Sequence, residues 1–253
     1  MRNLLLLFVL VSLCLGSLAA QVTTFPWLES FDLESFPPEG WQAIDRDGDE
    51  LNWGRVLNVP ATPFAVTPAM GIGFAASRSW TMGEGSVELP LYPDNWLISP
   101  RLAIPSNAAA VTLTYRIRSV ITAYMDHYGV FVSTTGTTIA DGTGDVVGDF
   151  TRLTNETPPA SWTTKTIDLS AYSGQSIYLA FRHYDSDDKD HICLDRVQVS
   201  LAFPITPNVT TPAWALNLYP NIRILFDESM AHTKTLHLMR KDIIASDTSL
   251  LTL

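Results

Sequence analysis

Two segments of this chain alternate apolar and polar side chains with a period of two, and that pattern limits the possible folds more than any other feature. In Val111-Thr112-Leu113-Thr114-Tyr115-Arg116-Ile117-Arg118 the apolar set stands on one side of the backbone and the Thr/Arg set on the other. Residues 175–184 repeat it, with Ile177, Leu179 and Phe181 opposed to Tyr178, Ala180 and Arg182. Successive side chains of a strand point to opposite faces, so this spacing buries one face of a sheet, whereas a helix would scatter the same residues around its surface. Shorter candidate strands lie at 28–33, 41–44, 52–56, 73–77, 95–99, 128–133, 163–169 and 191–201, with Pro, Gly, Asp and Ser clusters between them. No segment before Phe203 carries a helical stripe. Strands without alternating helices predict an all-β fold, an antiparallel β-sandwich and most simply a jelly roll. An immunoglobulin-type sandwich is the rival, although its Cys…Trp…Cys pattern is missing.

The two ends read differently from the middle. Met1-Arg2-Asn3, an apolar run over residues 4–15 and Gly16-Ser17-Leu18-Ala19-Ala20 have the layout of a secretory signal peptide, residues 1–20. That run is shorter than the ~20 apolar residues a membrane span needs, and no later segment supplies them. Leu13 ahead of Cys14 argues against lipoprotein processing. Loss of Arg2 with the signal moves the formal charge from -10 to -11 and leaves Cys193 as the remaining cysteine. Such acidity argues against nucleic acid or an anionic membrane surface as partner. One thiol closes no intrachain disulfide, and Cys193, in an apolar run, reads as a small core residue rather than a nucleophile. Residues 21–203 therefore form the predicted β-domain. Pro204, Pro207 and Pro212 mark a linker over 204–215, and 216–253 a tail without strand alternation.

Asp45-Arg46-Asp47-Gly48-Asp49 places three carboxylates at alternate positions around a glycine turn. Like charges so close repel unless a cation sits among them. Calcium is the natural candidate, a hard ion that takes oxygen ligands. The spacing is not that of an EF-hand, because Glu50 and Val56 occupy the sixth and twelfth positions counted from Asp45. In the last candidate strand Asp195 shares parity with Val197, Val199 and Leu201, so a carboxylate on the buried face needs a partner. Glu29 shares parity with Phe31 and Leu33, and Asp32 would join the site only through a bend. One structural calcium tying Glu29, Asp32, Asp45, Asp47, Asp49 and Asp195 together is the expectation, with solvent exposure of Glu29 and Asp32 as the plain alternative. Asp126, His127, His183 and His191 form a second polar set with no zinc spacing, while Asp185 and Asp187 could make a second calcium site. No nucleophile elbow, phosphate loop or nucleotide fingerprint is present. Of the many aromatic side chains (Trp41, Trp53, Trp80, Trp96, Trp162, Tyr92 and Tyr172 among them), any left exposed could stack on sugar rings or anchor a protein partner.

Taken together, several motifs in order resemble a known family. They are Glu29-Ser30-Phe31-Asp32, Phe36-Pro37-Pro38-Glu39-Gly40-Trp41, the loop from Asp45 to Trp53, and Pro93-Asp94-Asn95-Trp96-Leu97-Ile98-Ser99-Pro100. Asp126-His127-Tyr128, Val132-Ser133-Thr134-Thr135-Gly136, Phe181-Arg182-His183-Tyr184 and Leu194-Asp195 complete the set. Over residues 25–201 they resemble the cleaved-adhesin domain of gingipains and surface haemagglutinins, also called choice-of-anchor J and similar to MAM domains. The resemblance implies a galactose-binding-like or MAM-like jelly roll, structural calcium, and a non-catalytic module of an exported bacterial protein, secreted or at the cell surface, that binds carbohydrate or an extracellular protein. The family usually has two adjacent Asp residues in the last strand, where this chain has Asp195-Arg196. Leu216-Asn217-Leu218-Tyr219-Pro220-Asn221 looks like the opening of a type IX secretion sorting domain. Ile222 breaks that pattern, which reads as a degenerate or frameshifted tail. Two other readings are carried forward: an accessory binding domain of a larger secreted protease or glycoside hydrolase, and a self-contained enzyme built on the histidine–carboxylate set.

Overall fold

The two alternating segments become central strands of two facing sheets. The computed structural model describes residues 21–59 and 65–204, together with the backbone of two strands in the tail. The chain divides into two compact units, Met1–Pro204 and Ile205–Leu253. The predicted signal peptide, linker and sorting motif lie outside the described residues.

In the first unit the strands run β1 (Gln21–Val22), β2 (Trp27–Glu29), β3 (Gln42–Asp45), β4 (Gly54–Val56), β5 (Phe74–Arg78), β6 (Trp80–Met82), β7 (Glu88–Pro90) and β8 (Asn95–Ile98). They continue with β9 (Arg101–Ala103), β10 (Ala110–Ser119), β11 (Tyr128–Ser133), β12 (Val146–Val147), β13 (Phe150–Glu156), β14 (Thr163–Asp168), β15 (Ser176–His183) and β16 (His191–Ala202). An eight-stranded sheet follows the order β1-β9-β15-β11-β13-β12, with β8 also on β15 and β3 on β8. A six-stranded sheet has the order β14-β10-β16-β5-β4, with β2 added to β16. All these pairings are antiparallel except β1 with β9. The fold is the antiparallel jelly-roll sandwich that the alternation predicts.

Between the sheets, Val111, Leu113, Tyr115 and Ile117 of β10 meet Ile177, Leu179 and Phe181 of β15 in one buried cluster. The outer face of the eight-stranded sheet is covered as well. Trp96, Ile98, Phe131, Val147, Phe150 and Ala180 form a second cluster there, closed by Ile139 from the loop after β11. For this reason β11 is buried at every position instead of alternating. Arg182, expected on the solvent side, is buried between the rings of Trp96 and Tyr184 and makes two hydrogen bonds to Asp94, 2.6 and 2.8 Å long. Burial opposes ionisation of Asp94, but Arg182 and Arg46 together hold its carboxyl below the ordinary range. Cys193 is a core residue, and burial pushes its thiol well up.

One parity argument from the sequence is corrected by the backbone. Arg196 adopts a left-handed φ of 51°, and the β10–β16 register slips between Thr114 and Arg116. This β-bulge reverses the faces of β16. Ile192, Leu194, Val197 and Val199 all join the inner core, while Asp195 stands opposite Arg116 on the outer face. Asp195 is nonetheless fully buried there, under the segment that leads into β5. In the second unit β17 (Ile222–Leu225) pairs antiparallel with β18 (His237–Arg240), in a tail whose sequence offered no alternation.

Candidate functional site

The predicted site residues are gathered at two places rather than one. Asp45 ends β3, and the turn that follows folds back on it: Asp45 Oδ1 accepts from the Gly48 N–H at 2.8 Å and Oδ2 from the Glu50 N–H at 2.8 Å. Asp47 Oδ2 accepts from the Asp94 N–H, and Asp49 Oδ1 from the Leu51 N–H. Carboxylate oxygens of Asp45, Asp47 and Asp49 all lie within 4.8 Å of one another. The crowding has an electrostatic signature. Desolvation, a hydrogen bond shared with Asp45 and the charge of Asp49 push Asp47 up to about 7, although the residue remains exposed. The shared proton holds Asp45 below the ordinary carboxylate range. The loop is fastened behind by Trp53 Nε1–H donating to the Asn95 carbonyl at 3.0 Å and by Asn95 Nδ2–H donating to the Leu51 carbonyl at 2.8 Å.

Asp32 and Asp195 meet around the segment 69–73, and Glu29 lies near Asp32 at the end of β2. β2 pairs with β16 so that Glu29 lies opposite Val197, next to the bulge. The chain then bends at Phe31, whose φ of 55° is rare for a bulky residue, and the Phe31 N–H donates to Glu29 Oε1 at 2.7 Å. The bend aims Asp32 at the loop, where its Oδ1 accepts from the Ile72 and Gly73 N–H groups at 2.6 and 3.1 Å. Gly71, with φ 80°, is required here, since a Cβ would sit 2.3 Å from the Asp32 carboxylate. Asp195 Oδ2 accepts from the Ala69 and Met70 N–H groups at 2.9 and 3.2 Å, but its Oδ1 is buried without a partner. Burial pushes the Asp195 carboxyl up to about 6, and the charge of Asp32 adds to the rise. Burial likewise raises Glu29, with Asp32 contributing, whereas the Ile72 N–H first and the Gly73 N–H after it bring Asp32 below its ordinary value. A ligand shell that includes both Asp195 and the 45–49 loop is thus not what the geometry brings together. Two left-handed non-glycine residues, Phe31 and Arg196, flank the second group, and such strain costs roughly 1–3 kcal/mol per residue.

The histidine–carboxylate set is only partly assembled. His183 Nδ1 lies 2.8 Å from Ser77 Oγ, and its Nε2 lies 3.1 Å from Asp126 Oδ1. Asp126 also accepts from Ser79 Oγ at 2.6 Å and from the Asp190 N–H at 3.2 Å. Ser77, His183 and Asp126 are sealed from solvent, so this serine–histidine–aspartate chain has no access to a substrate. It fastens β5 of one sheet to β15 of the other. His127 instead packs its ring on Tyr184, and His191 bonds Asp190. Sequence reasoning missed Ser77, Ser79 and Asn95, because serines and an asparagine in or beside strands carry no sequence mark of a buried network. Of the aromatic candidates, Trp41, Trp53 and Trp96 are core residues and Tyr92 is the exposed one, at 68%.

Residues 24–199 match the family described as Cleaved Adhesin Domain. Hemagglutinin A of Porphyromonas gingivalis is 37% identical over 193 residues, covering 72% of this chain and 7% of that protein. Gingipain R1 of the same organism is 32% identical over 183 residues, covering 67% of this chain and 10% of that protein. The chain thus spans a tenth or less of the length of these relatives. Among solved structures, the K1 cleaved adhesin domain of Lys-gingipain from Porphyromonas gingivalis W83 is 30% identical, with a TM-score of 0.54 over 71% of this chain and 99% of that one. In the described residues no helix is long and apolar enough to cross a membrane. By sequence match and by fold, this chain belongs to the cleaved-adhesin domain family.

Proposed function

We propose that the chain is an exported adhesion module, secreted or held at the cell surface, that binds a carbohydrate or an extracellular protein and is stabilised by calcium. Family membership supports the adhesive reading, since the relatives include a haemagglutinin and its own family is named for an adhesin. The observation that carries the metal reading is Asp195: a fully buried carboxylate with one oxygen unanswered, within reach of the charge of Asp32. A buried charge of that kind is costly unless a cation or a proton meets it. Carboxylates beside backbone are the hard oxygen donors that calcium takes. Glu29, Asp32 and Asp195 would hold one ion, and Asp45, Asp47 and Asp49 a second. Calcium would supply positive charge that ties β2, the 69–73 segment and β16 together, and its binding energy would add to folding energy. Asp195, Glu29 and Asp32 position that ion; the sealed Ser77–His183–Asp126 chain does no chemistry.

A second reading is favoured by the short span of the match. A module covering a tenth or less of its relatives suits an accessory binding domain of a larger secreted protease or glycoside hydrolase. The test of the first reading is capture of the labelled full chain on arrays of glycans and extracellular proteins, in calcium and in chelator. Saturable, calcium-dependent capture is expected; no capture on either array would sink it.

A further inference from the structure

A sealed run of hydrogen bonds joins the buried histidine to the acidic loop. His183 Nε2 lies 3.1 Å from Asp126 Oδ1, and its Nδ1 lies 2.8 Å from Ser77 Oγ. Asn95 Nδ2 then reaches both Ser77 Oγ, at 3.2 Å, and the Leu51 carbonyl, at 2.8 Å. Ser77, Asn95, Asp126 and His183 are all buried. The run thus leads from the segment before β11 through β15, β5 and β8 into the 45–53 loop.

Counting hydrogens fixes its state. The Leu51 carbonyl can only accept, so the Asn95 amide presents its nitrogen there, and its second hydrogen goes to Ser77 Oγ. Ser77 donates its own hydroxyl hydrogen to His183 Nδ1, and His183 Nε2–H donates to Asp126. Asp126 accepts in addition from the Ser79 hydroxyl and the Asp190 N–H. The imidazole is therefore neutral, with its hydrogen on Nε2. One atom is left over: Asn95 Oδ1 is buried and accepts nothing.

We infer that this run is an acid-sensitive latch, in which a proton taken up by His183 is relayed through Ser77 and Asn95 to loosen the 45–53 loop. This goes beyond the reading of the chain as a binding module, and it holds whether or not the loop takes an ion. A second hydrogen on the imidazole turns Nδ1 from an acceptor into a donor to Ser77 Oγ. The Ser77 hydroxyl hydrogen must then find another acceptor, because a buried donor without one is costly. Asn95 Oδ1 is the unused acceptor on the amide that already touches Ser77. A half-turn of that amide presents the oxygen to Ser77 and takes Nδ2 away from the Leu51 carbonyl. The loop then keeps the Trp53 Nε1–H bond to the Asn95 carbonyl and loses the Asn95 bond beside it.

The surroundings leave His183 as the group that responds. Asp126 is the charged side chain in contact with it, while β5 and β8 present the neutral Ser77 and Asn95. Tyr128, its ladder partner on β11, turns its hydroxyl to Tyr115 and Glu156. The Asp190 carboxylate bonds His191, and Arg118 acts on the Cys193 thiol of β16.

The test is a pH series of NMR spectra of the labelled full chain in chelator. Imidazole spectra should show His183 with its hydrogen on Nε2 at about pH 8 and doubly protonated by about pH 5. The side-chain amide signals of Asn95 should shift with the same midpoint. Exchange of the Trp53 indole N–H, corrected for its intrinsic pH dependence, should quicken by up to about tenfold, the worth of one hydrogen bond. In Ser77→Ala, His183 should still take up its proton while the Asn95 and Trp53 signals no longer follow it. Asp47 titrates in the same loop and is present in both proteins, so it cannot produce that difference. The inference is overturned by an imidazole that stays neutral until the chain unfolds, or by one already doubly protonated at about pH 8. It is overturned equally by Asn95 and Trp53 signals that ignore His183, or by a response that persists in Ser77→Ala. The spectra of the native chain decide the first three outcomes by themselves, so a variant that fails to fold leaves the inference open to refutation.

Discussion

Asp126, ahead of β11, and Asp195, on β16, are both completely buried, and their surroundings differ in one respect. Asp126 is answered by its own chain: a serine hydroxyl, an imidazole and a backbone N–H occupy both of its oxygens. Asp195 receives two backbone N–H groups on one oxygen and nothing on the other. A satisfied buried network fixes a single packing of the core. A half-satisfied buried carboxylate is costly unless a cation or a proton completes it. The first region is therefore a staple between the sheets, and the second, on the proposed reading, is a receptor for a cation.

The sharpest way to break this contrast is to remove the staple. Asp126→Ala takes the acceptor from the Ser79 hydroxyl hydrogen and leaves His183 Nε2 and the Asp190 N–H buried without partners, and should cost about 3–5 kcal/mol in calcium and in chelator alike. Urea unfolding in both buffers reads it; a calcium-dependent cost would mean that the two regions are not distinct. Next in size is the metal itself. Free calcium at 100 times its dissociation constant should stabilise the chain by about 2.7 kcal/mol per ion, seen as a higher thermal midpoint and as bound calcium in a metal assay.

A pH series in chelator sharpens the comparison further. The folded Asp195 carboxyl sits at about 6, above the ordinary 3.8, so between those values the folded state holds more proton than the unfolded one. Its contribution is fully present below pH ~4 and lost as the pH rises through about 6, a decline on the order of 3 kcal/mol. Calcium, which binds the ionised form, should flatten or reverse that decline. The smallest effect belongs to the exposed loop. Asp47→Asn relieves like-charge repulsion with Asp45 and Asp49, and in chelator should raise stability by no more than about 0.5 kcal/mol.

Much of the sandwich was legible because β10 and the first half of β15 face a core on one side and solvent on the other, and that asymmetry is written with period two. β13 was not foreseen: Phe150-Thr151-Arg152-Leu153-Thr154-Asn155-Glu156 is half-buried for much of its length and carries no clean alternation. The bulge at Arg196 was invisible for a different reason. A left-handed arginine leaves no mark in composition, yet it moves Asp195 to the opposite face from Val197 and Val199. The acidic residues themselves were named from sequence, since crowded carboxylates are conspicuous. Their division into a 45–49 group and a Glu29–Asp32–Asp195 group depends on the bend at Phe31 and the close wrap of Gly71, which only the folded backbone displays.

The most direct measurement is the thermal unfolding of the full chain and of its Asp195→Asn variant, each with calcium and with chelator. The account predicts a calcium-induced rise in the native chain that is strongly reduced in the variant, and a variant at least as stable as the native chain in chelator, because the unanswered charge has gone. An equal rise in both proteins, or a variant much less stable in chelator, would contradict the claim that Asp195 is buried in order to meet a cation.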